Sequence, residues 1–306
     1  MKETYKEPTS WAISAEPDFR LLVVKGEDAE TFLQGQLTQD VVKLPKGKAA
    51  WTAACNYQGR VAAVSLIFRI PEGFGLMLPA SIAQGEMERL QKYVLRSKVS
   101  MEIAPIDITY ISASEATAAK VKCPGLPEDD MAVYEGNSTI VVRLPRKGAD
   151  GFKARYVAFG PLPQGMVPAP EFKNELMSAL MNLGVAFVGT DESLEWLPQA
   201  LNLDLIGAVA TNKGCYNGQE VINKTQSLGK VKRRMFLGKA PIENVDDDRE
   251  IFVQNEPVGR IIIDNGKQFL FVLRWDYWDS PLTVQSKEVS LIDLPYEVTV
   301  PGSVIK

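Results

Sequence analysis

The apolar run from Phe19 to Val24 (FRLLVV) reads as a strand. Gly26, Glu27 and Asp28 then introduce a short helix with Ala29, Phe32 and Leu33 on one face, which Gly35 is expected to stop. Between Ala49 and Phe68, two β-rich stretches flank Asn56-Tyr57-Gln58-Gly59 and predict a hairpin. Ser81 offers an N-cap to a helix whose Ala83, Met87, Leu90 and Val94 recur at helical spacing, with Arg96 and Lys98 suiting its end. A strand around Ile106 to Ile111, a helical stretch near Glu115 to Val121, a loop at Cys123-Pro124-Gly125 and two further strands are expected next. A Pro- and Gly-rich segment, Gly160 to Pro170, precedes a helix on which Phe172, Leu176, Ala179, Leu180 and Leu183 share a face and Gly184 caps the end. From Met235 the pattern changes to short β-rich runs, Ile251 to Val253, Val258 to Ile263 and Gln268 to Leu273, which predict a small all-β domain, a barrel.

At 306 residues the chain is long enough for about two domains. Its 34 basic against 38 acidic residues give a net charge of −4, which argues against a nucleic-acid coat protein or a polybasic membrane binder. Histidine is absent, which excludes histidine-ligated zinc, Ser-His-Asp triads and Cys-His dyads. Cys55, Cys123 and Cys215 stand far apart without a CxxC pair, so a reducing compartment is expected rather than a disulfide framework. Three scattered thiols also fall short of the roughly four thiolates that hold a cubane cluster. No apolar run approaches the ~18 residues of a membrane span, and MKETYKEPTS lacks the apolar segment of a secretory signal, so no membrane association and a cytoplasmic location are expected. The Asp246-Asp247-Asp248 run reads as a solvated turn.

Lys213 to Glu220, KGCYNGQE, gathers a cation, two glycines, a thiol, an aromatic ring, an amide and a carboxylate, a mixture that no packing rule requires. Gly214 and Gly218 permit a tight turn or a close approach to a ligand. If Gln219 to Thr225 opens a helix, backbone N–H groups and Lys213 both favour a thiolate at Cys215. The plain alternative is a turn with Tyr216 plugging a core and Cys215 acting as a small hydrophobe.

The string KGCYNGQE resembles the fingerprint of the YgfZ family of folate-binding proteins, relatives of the glycine-cleavage aminomethyltransferase. Phe32 to Val41 (FLQGQLTQDV) resembles that family's amino-terminal motif, and Leu197-Pro198-Gln199 with Asn202-Leu203-Asp204 resembles its approach to the cysteine loop. Val258-Gly259-Arg260 is similar to part of its carboxy-terminal barrel. The resemblance implies an α+β fold: two intertwined α+β subdomains of the aminomethyltransferase-like folate-binding type over residues 1–234, and a β-barrel over 235–306. It implies a central tetrahydrofolate site and a role in maintaining iron–sulfur enzymes, among them enzymes that thiolate tRNA. The expected partners are a reduced folate and iron–sulfur client or assembly proteins, with Cys215 as the reactive thiol.

A folate needs a flat apolar slot, polar groups at its aminopyrimidinone edge and cations for its glutamate tail. Tyr216 or Trp51 are stacking candidates; Gln199, Asn202, Gln219 and Glu220 are edge readers; Lys213 or Lys224 face the carboxylates. Trp51 also suits a core role. Lys224 stands where the family usually has arginine, and Asn56 where it often has aspartate. The aminomethyltransferase carries an acidic pair after the glycine turn, whereas this chain reads Gly59-Arg60-Val61-Ala62-Ala63-Val64, which with the absence of histidine argues against a straightforward aminomethyltransferase; folate-dependent one-carbon transfer or demethylation is the alternative enzyme reading. A third reading is a folate-enzyme scaffold that has become an interaction module. Cys55 and Cys123 read as structural. The basic cluster Lys230, Lys232, Arg233, Arg234 reads either as a solvated strand start or as a positive rim, with no RNA module that would read sequence.

Overall fold

The computed structural model describes residues 11–115, 118, 125–136, 138–162, 166, 175–229, 231–242, 245 and 248–299. Cys123, Phe172, Lys230, Asp246, Asp247 and most of the expected helical stretch at 115–121 lie outside the described residues.

Strands β1 (Ala12–Ala15) and β2 (Phe19–Lys25) lead into helix α1 (Ala29–Gln36). The hairpin β3 (Ala49–Cys55) and β4 (Val61–Ile70) is followed by β5 (Gly73–Pro79), helix α2 (Ala80–Gln91) and β6 (Ser100–Ile103). Then come β7 (Ile108–Ser114), β8 (Val133–Gly136), β9 (Thr139–Arg143), β10 (Lys147–Gly148) and β11 (Gly151–Phe159). These strands form two antiparallel sheets, ordered β3-β4-β5-β2-β6 and β1-β7-β11-β9-β8, with β10 paired to β11. Strand β1 precedes the whole first sheet and β7 follows it, yet they pair from Ala12 opposite Ser112 to Ala15 opposite Thr109. That pairing across a whole sheet is what intertwines the two α+β units.

Helix α3 (Glu175–Asn182) buries Leu176, Ala179 and Leu180, and Gly184 follows it at φ +67°. A 3₁₀ turn, Pro198–Leu201, ends on Asn202 in the left-handed region, and helix α4 (Gln219–Ser227) follows the cysteine loop. The last seven strands are β12 (Arg233–Lys239), β13 (Glu250–Val253), β14 (Glu256–Asp264), β15 (Phe269–Arg274), β16 (Thr283–Val284), β17 (Lys287–Glu288) and β18 (Ser290–Ile292). Their sheet runs β17-β16-β13-β14-β15-β12-β18, and the two edge strands are joined through Val289 alone, so the sheet curls into a nearly closed barrel.

Strand alternation explains how the barrel attaches. In β12 and β15, Phe236, Phe269, Phe271 and Leu273 enter the barrel's own core. Their neighbours Met235, Leu237, Leu270 and Val272 join a large core that also holds Trp51, Leu66, Val142, Val157, Leu180 and Phe187. One continuous apolar interior thus unites all three units.

Two local expectations need correction. Helix α1 runs through Gly35, which has no positive φ, and ends at Leu37, where the chain turns extended. Helix α2 starts at Ala80 after Pro79, with no side-chain cap, so Ser81 lies in the first turn and Val94 beyond the last. Proline's fixed φ, here −57°, supplies the transition that a capping hydroxyl would otherwise mark.

Candidate functional site

The two family-like motifs meet in space. Lys213 Nζ donates to the carbonyls of Leu37 (2.7 Å) and Gln39 (2.6 Å) and sits 5.0 Å from the centre of the Tyr216 ring. Asn217 donates its backbone N–H to Gly35 O (3.3 Å) and its Nδ2 to Gln36 Oε1 (3.0 Å). Thr38 Oγ1 donates to Ala208 O at 2.7 Å. The end of α1 and the segment after it therefore hold the cysteine loop at Lys213 and Asn217, and Thr38 ties the same segment to Ala208. Tyr216 is buried beneath Lys213 and its hydroxyl finds no partner among the described residues.

Cys215 is exposed, whereas Cys55 is buried in the core, where desolvation pushes its thiol up to about 12. Gly214, beside Cys215, has open space where a Cβ would sit. Gln219 Nε2 lies 3.4 Å from the carbonyls of both Lys213 and Gly214, bridging the loop's ends. Glu220 and Lys224 form an exposed i,i+4 pair at 2.7 Å, which contributes little to stability.

Lys213 is committed to two carbonyls rather than facing a ligand's carboxylates, and burial lowers its pKa to about 8, with the Asp40 carboxylate pushing back upward. Because the folded pKa lies below the ordinary 10.5, the burial penalty is fully present below pH 8 and is relieved as pH rises from 8 toward 10.5. Urea midpoints across that window should rise for the native chain, and Lys213→Met should remove the part of the slope that this group supplies. An unchanged slope would show that Lys213 is freely solvated.

Trp51 is found elsewhere in the site. It is buried, meets Phe187 edge-on at 5.9 Å, and lines a cavity of about 470 Å³ at the junction of all three units. Met131, Lys147, Leu183, Ile206 and Tyr296 share that wall. Gln39 connects cavity and loop: its Nε2 donates to Trp51 O (3.2 Å) and Gly207 O (2.8 Å), while its own carbonyl accepts from Lys213. Cys215 itself lines none of this cavity.

Gln199 and Asn202 are not brought to the junction cavity. Asn202 Nδ2 donates to Met235 O (2.7 Å), and its Oδ1 accepts from Met235 N (3.1 Å), so this side chain pins the barrel to the 3₁₀ turn. Gln199 Nε2 donates to Ile222 O at 2.9 Å, and its residue lines a different cleft. Arg234 corrects the reading of the basic cluster as a solvated run or rim. Its guanidinium is buried and pairs with Asp204 at 2.6 and 3.0 Å, while Lys232 and Arg233 are exposed.

At the hairpin turn, Asn56 Oδ1 accepts from Gln58 N (3.0 Å) and Arg60 N (2.9 Å), a role an aspartate would also fill. Ala62 and Ala63 are buried, so this strand presents no carboxylate at those positions.

No family model matches the chain. A tRNA-modifying protein YgfZ of Vibrio atlanticus is 25% identical over 313 residues, covering 92% of this chain and 91% of that protein. Another of that name from Photobacterium profundum is 28% identical over 229 residues, 72% of this chain and 67% of that one. An uncharacterized protein of Haemophilus influenzae is 31% identical over 226 residues, 72% of this chain and 71% of its own. The chain belongs to the YgfZ family. Its fold is that of the glycine cleavage system aminomethyltransferase T from Bartonella henselae, with a TM-score of 0.67 at 16% identity over 93% of this chain and 86% of that one.

For a YgfZ-family chain, the residue that sequence reasoning missed is Gln39. It lies inside the amino-terminal motif, but its side chain reaches residues 12 and 168 positions away, which no local pattern encodes. Lys147, an exposed cation on the two-residue strand β10, has no sequence signature, and the structure places it in the lining of the junction cavity.

The junction cavity fits a reduced folate in volume, within the ~300–1,000 Å³ typical of ligand sites, and in character, being mainly apolar with one tryptophan and one lysine. Readers for the aminopyrimidinone edge would come from backbone groups or Tyr296, whose hydroxyl already donates to Gly184 O at 2.7 Å.

Proposed function

We propose that the chain is a cytoplasmic tetrahydrofolate-binding accessory protein that supports assembly or repair of iron–sulfur enzymes, tRNA-thiolating enzymes among them, with Cys215 as its reactive thiol. One observation carries the reading: the loop that exposes the Cys215 thiol and an apolar ligand-sized cavity both hold Gln39, the loop through Lys213 on its backbone carbonyl and the cavity wall through its side chain on Trp51 O and Gly207 O. Trp51 gives the pterin an apolar wall, and Lys147 faces the glutamate carboxylates. The bound folate supplies a one-carbon acceptor and a redox-active ring. The relatives' description as tRNA-modifying supports the tRNA connection, which is indirect in this reading.

One-carbon transfer as the primary act is less well supported, because the stretch Gly59-Arg60-Val61-Ala62-Ala63-Val64 after the hairpin turn carries no carboxylate, where the aminomethyltransferase has an acidic pair.

Titration with tetrahydrofolate, followed by tryptophan fluorescence, should saturate, and Lys147→Glu should weaken binding by about tenfold. Cys215→Ala should bind folate like the native chain yet fail to restore thiolated nucleosides in tRNA of cells lacking the protein. No saturation below about 1 mM would reject the folate reading. Full restoration by Cys215→Ala would reject the thiol.

A further inference from the structure

A second cleft, of about 660 Å³, opens between the hairpin turn, the segment before the 3₁₀ turn and the start of the barrel. Three cations line it, Arg60, Lys232 and Arg233, against the single carboxylate of Glu195. That local excess of positive charge stands out in a chain of net charge −4. Arg60 is held in place by donating Nη1 to the Glu195 carbonyl. Two of the lining residues each carry a buried polar atom without a partner among the described residues: Trp196 Nε1, a donor, and Gln199 Oε1, an acceptor. Gln199 cannot trade its amide ends freely, because Nε2 is already committed to Ile222 O at 2.9 Å. A buried polar atom left unpaired is costly, and two of opposite character on residues lining one cleft ask for a complementary pair.

We infer that this cleft is a second ligand site, distinct from the junction cavity, which takes a 5′-ribonucleotide whose base presents an amide edge, guanine or uracil. The phosphate meets Arg60, Lys232 and Arg233, which suit an oxyanion by charge and, for the arginines, by bidentate geometry. The base's carbonyl accepts from Trp196 Nε1–H and its ring N–H donates to Gln199 Oε1, which satisfies both orphaned atoms. Adenine, with an amino group in place of the carbonyl, offers Trp196 no acceptor there. The ligand is either a free nucleotide or a nucleotide exposed in an RNA strand. This inference does not depend on the folate reading.

Equilibrium dialysis of the full chain against 5′-GMP, 5′-AMP and inorganic phosphate tests it. GMP should saturate the site below about 1 mM, AMP and phosphate should bind about tenfold more weakly, and added salt should weaken all three. The double variant Lys232→Glu/Arg233→Glu alters only exposed side chains and should raise the GMP Kd at least about tenfold. Trp196→Phe should weaken GMP by about tenfold while leaving phosphate unchanged. GMP that fails to saturate, AMP or phosphate binding as tightly as GMP, or a charge reversal without effect would overturn the inference. A 5′-phosphorylated oligoribonucleotide beginning with guanosine distinguishes the sources: tighter binding than GMP assigns the site to a strand, weaker binding to the free nucleotide. Competitive displacement of GMP by tetrahydrofolate would make this the folate site and overturn the inference while leaving the folate reading standing. Absence of any tetrahydrofolate binding would reject that reading and leave the GMP result untouched.

Discussion

Arg234→Met should cost about 3–5 kcal/mol of stability, the range for breaking a buried ion pair by removing one partner. Arg234 is 1% exposed, and its guanidinium makes four bonds: two to Asp204, one from Nη1 to Gln199 O (2.7 Å) and one from Nε to Thr299 O (2.7 Å). Methionine fills much of the same volume but strips the Asp204 carboxylate of its cation and takes one donor from each of the Gln199 and Thr299 carbonyls, of which Gln199 O keeps the Asn202 N–H at 3.1 Å. Most of the loss comes from that stranded charge rather than from the pair's own attraction, so Arg234→Met/Asp204→Leu should recover a large share of it. Urea unfolding of the three chains reads this directly. A single variant costing under about 1 kcal/mol would mean that water reaches Asp204.

The same variant should disturb ligand binding at a distance. Arg234–Asp204 and Asn202–Met235 together fix the barrel against residues 199–204. The next residues, Leu205 to Gly207, line the junction cavity, and Tyr296, which accepts from Asn202 Nδ2 at 3.3 Å, lines it from the barrel's side. The cavity's shape is therefore set by the clamp that holds the barrel.

How much of this was legible in the sequence depends on how local each cause is. The strand at Phe19–Lys25, the hairpin about Asn56–Gly59 and the helix after KGCYNGQE follow from periodicity and turn chemistry within ten or so residues. The barrel runs were legible for the same reason, down to Glu250–Val253 and Phe269–Arg274. What sequence could not show is which polar residues are consumed by structure. Asn202, placed among candidate edge readers, spends its amide on Met235, 33 residues away. Arg234, written beside Lys232 and Arg233, differs from them in where it falls: at the start of β12 it turns inward while Arg233 stays exposed, and Lys232 precedes the strand. Lys213 and Trp51, both named as folate-site candidates, lie in two places, and Gln39 bonds to each, through its backbone carbonyl to Lys213 and through its side chain to Trp51 O. Motif resemblance located the loop; the hydrogen bonds that orient it are long-range and had to be seen.

Gly218→Ala should be the most damaging conservative change in the loop, at about 3 kcal/mol or more, because two independent penalties coincide. Gly218 holds φ +84°, a region that costs an L-residue about 1–2 kcal/mol. A methyl group there would also sit 2.6 Å from both Asn56 O and Gly59 Cα, and 2.9 Å from Gly59 N. Those are backbone atoms of a turn already fixed by the Gly59 N–H to Asn56 O bond at 2.9 Å, so no side chain can swing aside to make room. The hairpin and the cysteine loop must then separate, which moves the N-terminus of α4 and with it the display of Cys215. Gly214→Ala is the matched control: it has no positive φ and nothing within 4 Å, so its effect should stay within about 1 kcal/mol. Urea midpoints and the rate of Cys215 alkylation, measured on both variants, decide the matter. Gly218→Ala should lower the midpoint sharply and change the alkylation rate, whereas Gly214→Ala should leave both near native. Equal stability of the two would show that the close seat of the loop on the hairpin turn is not what fixes the thiol.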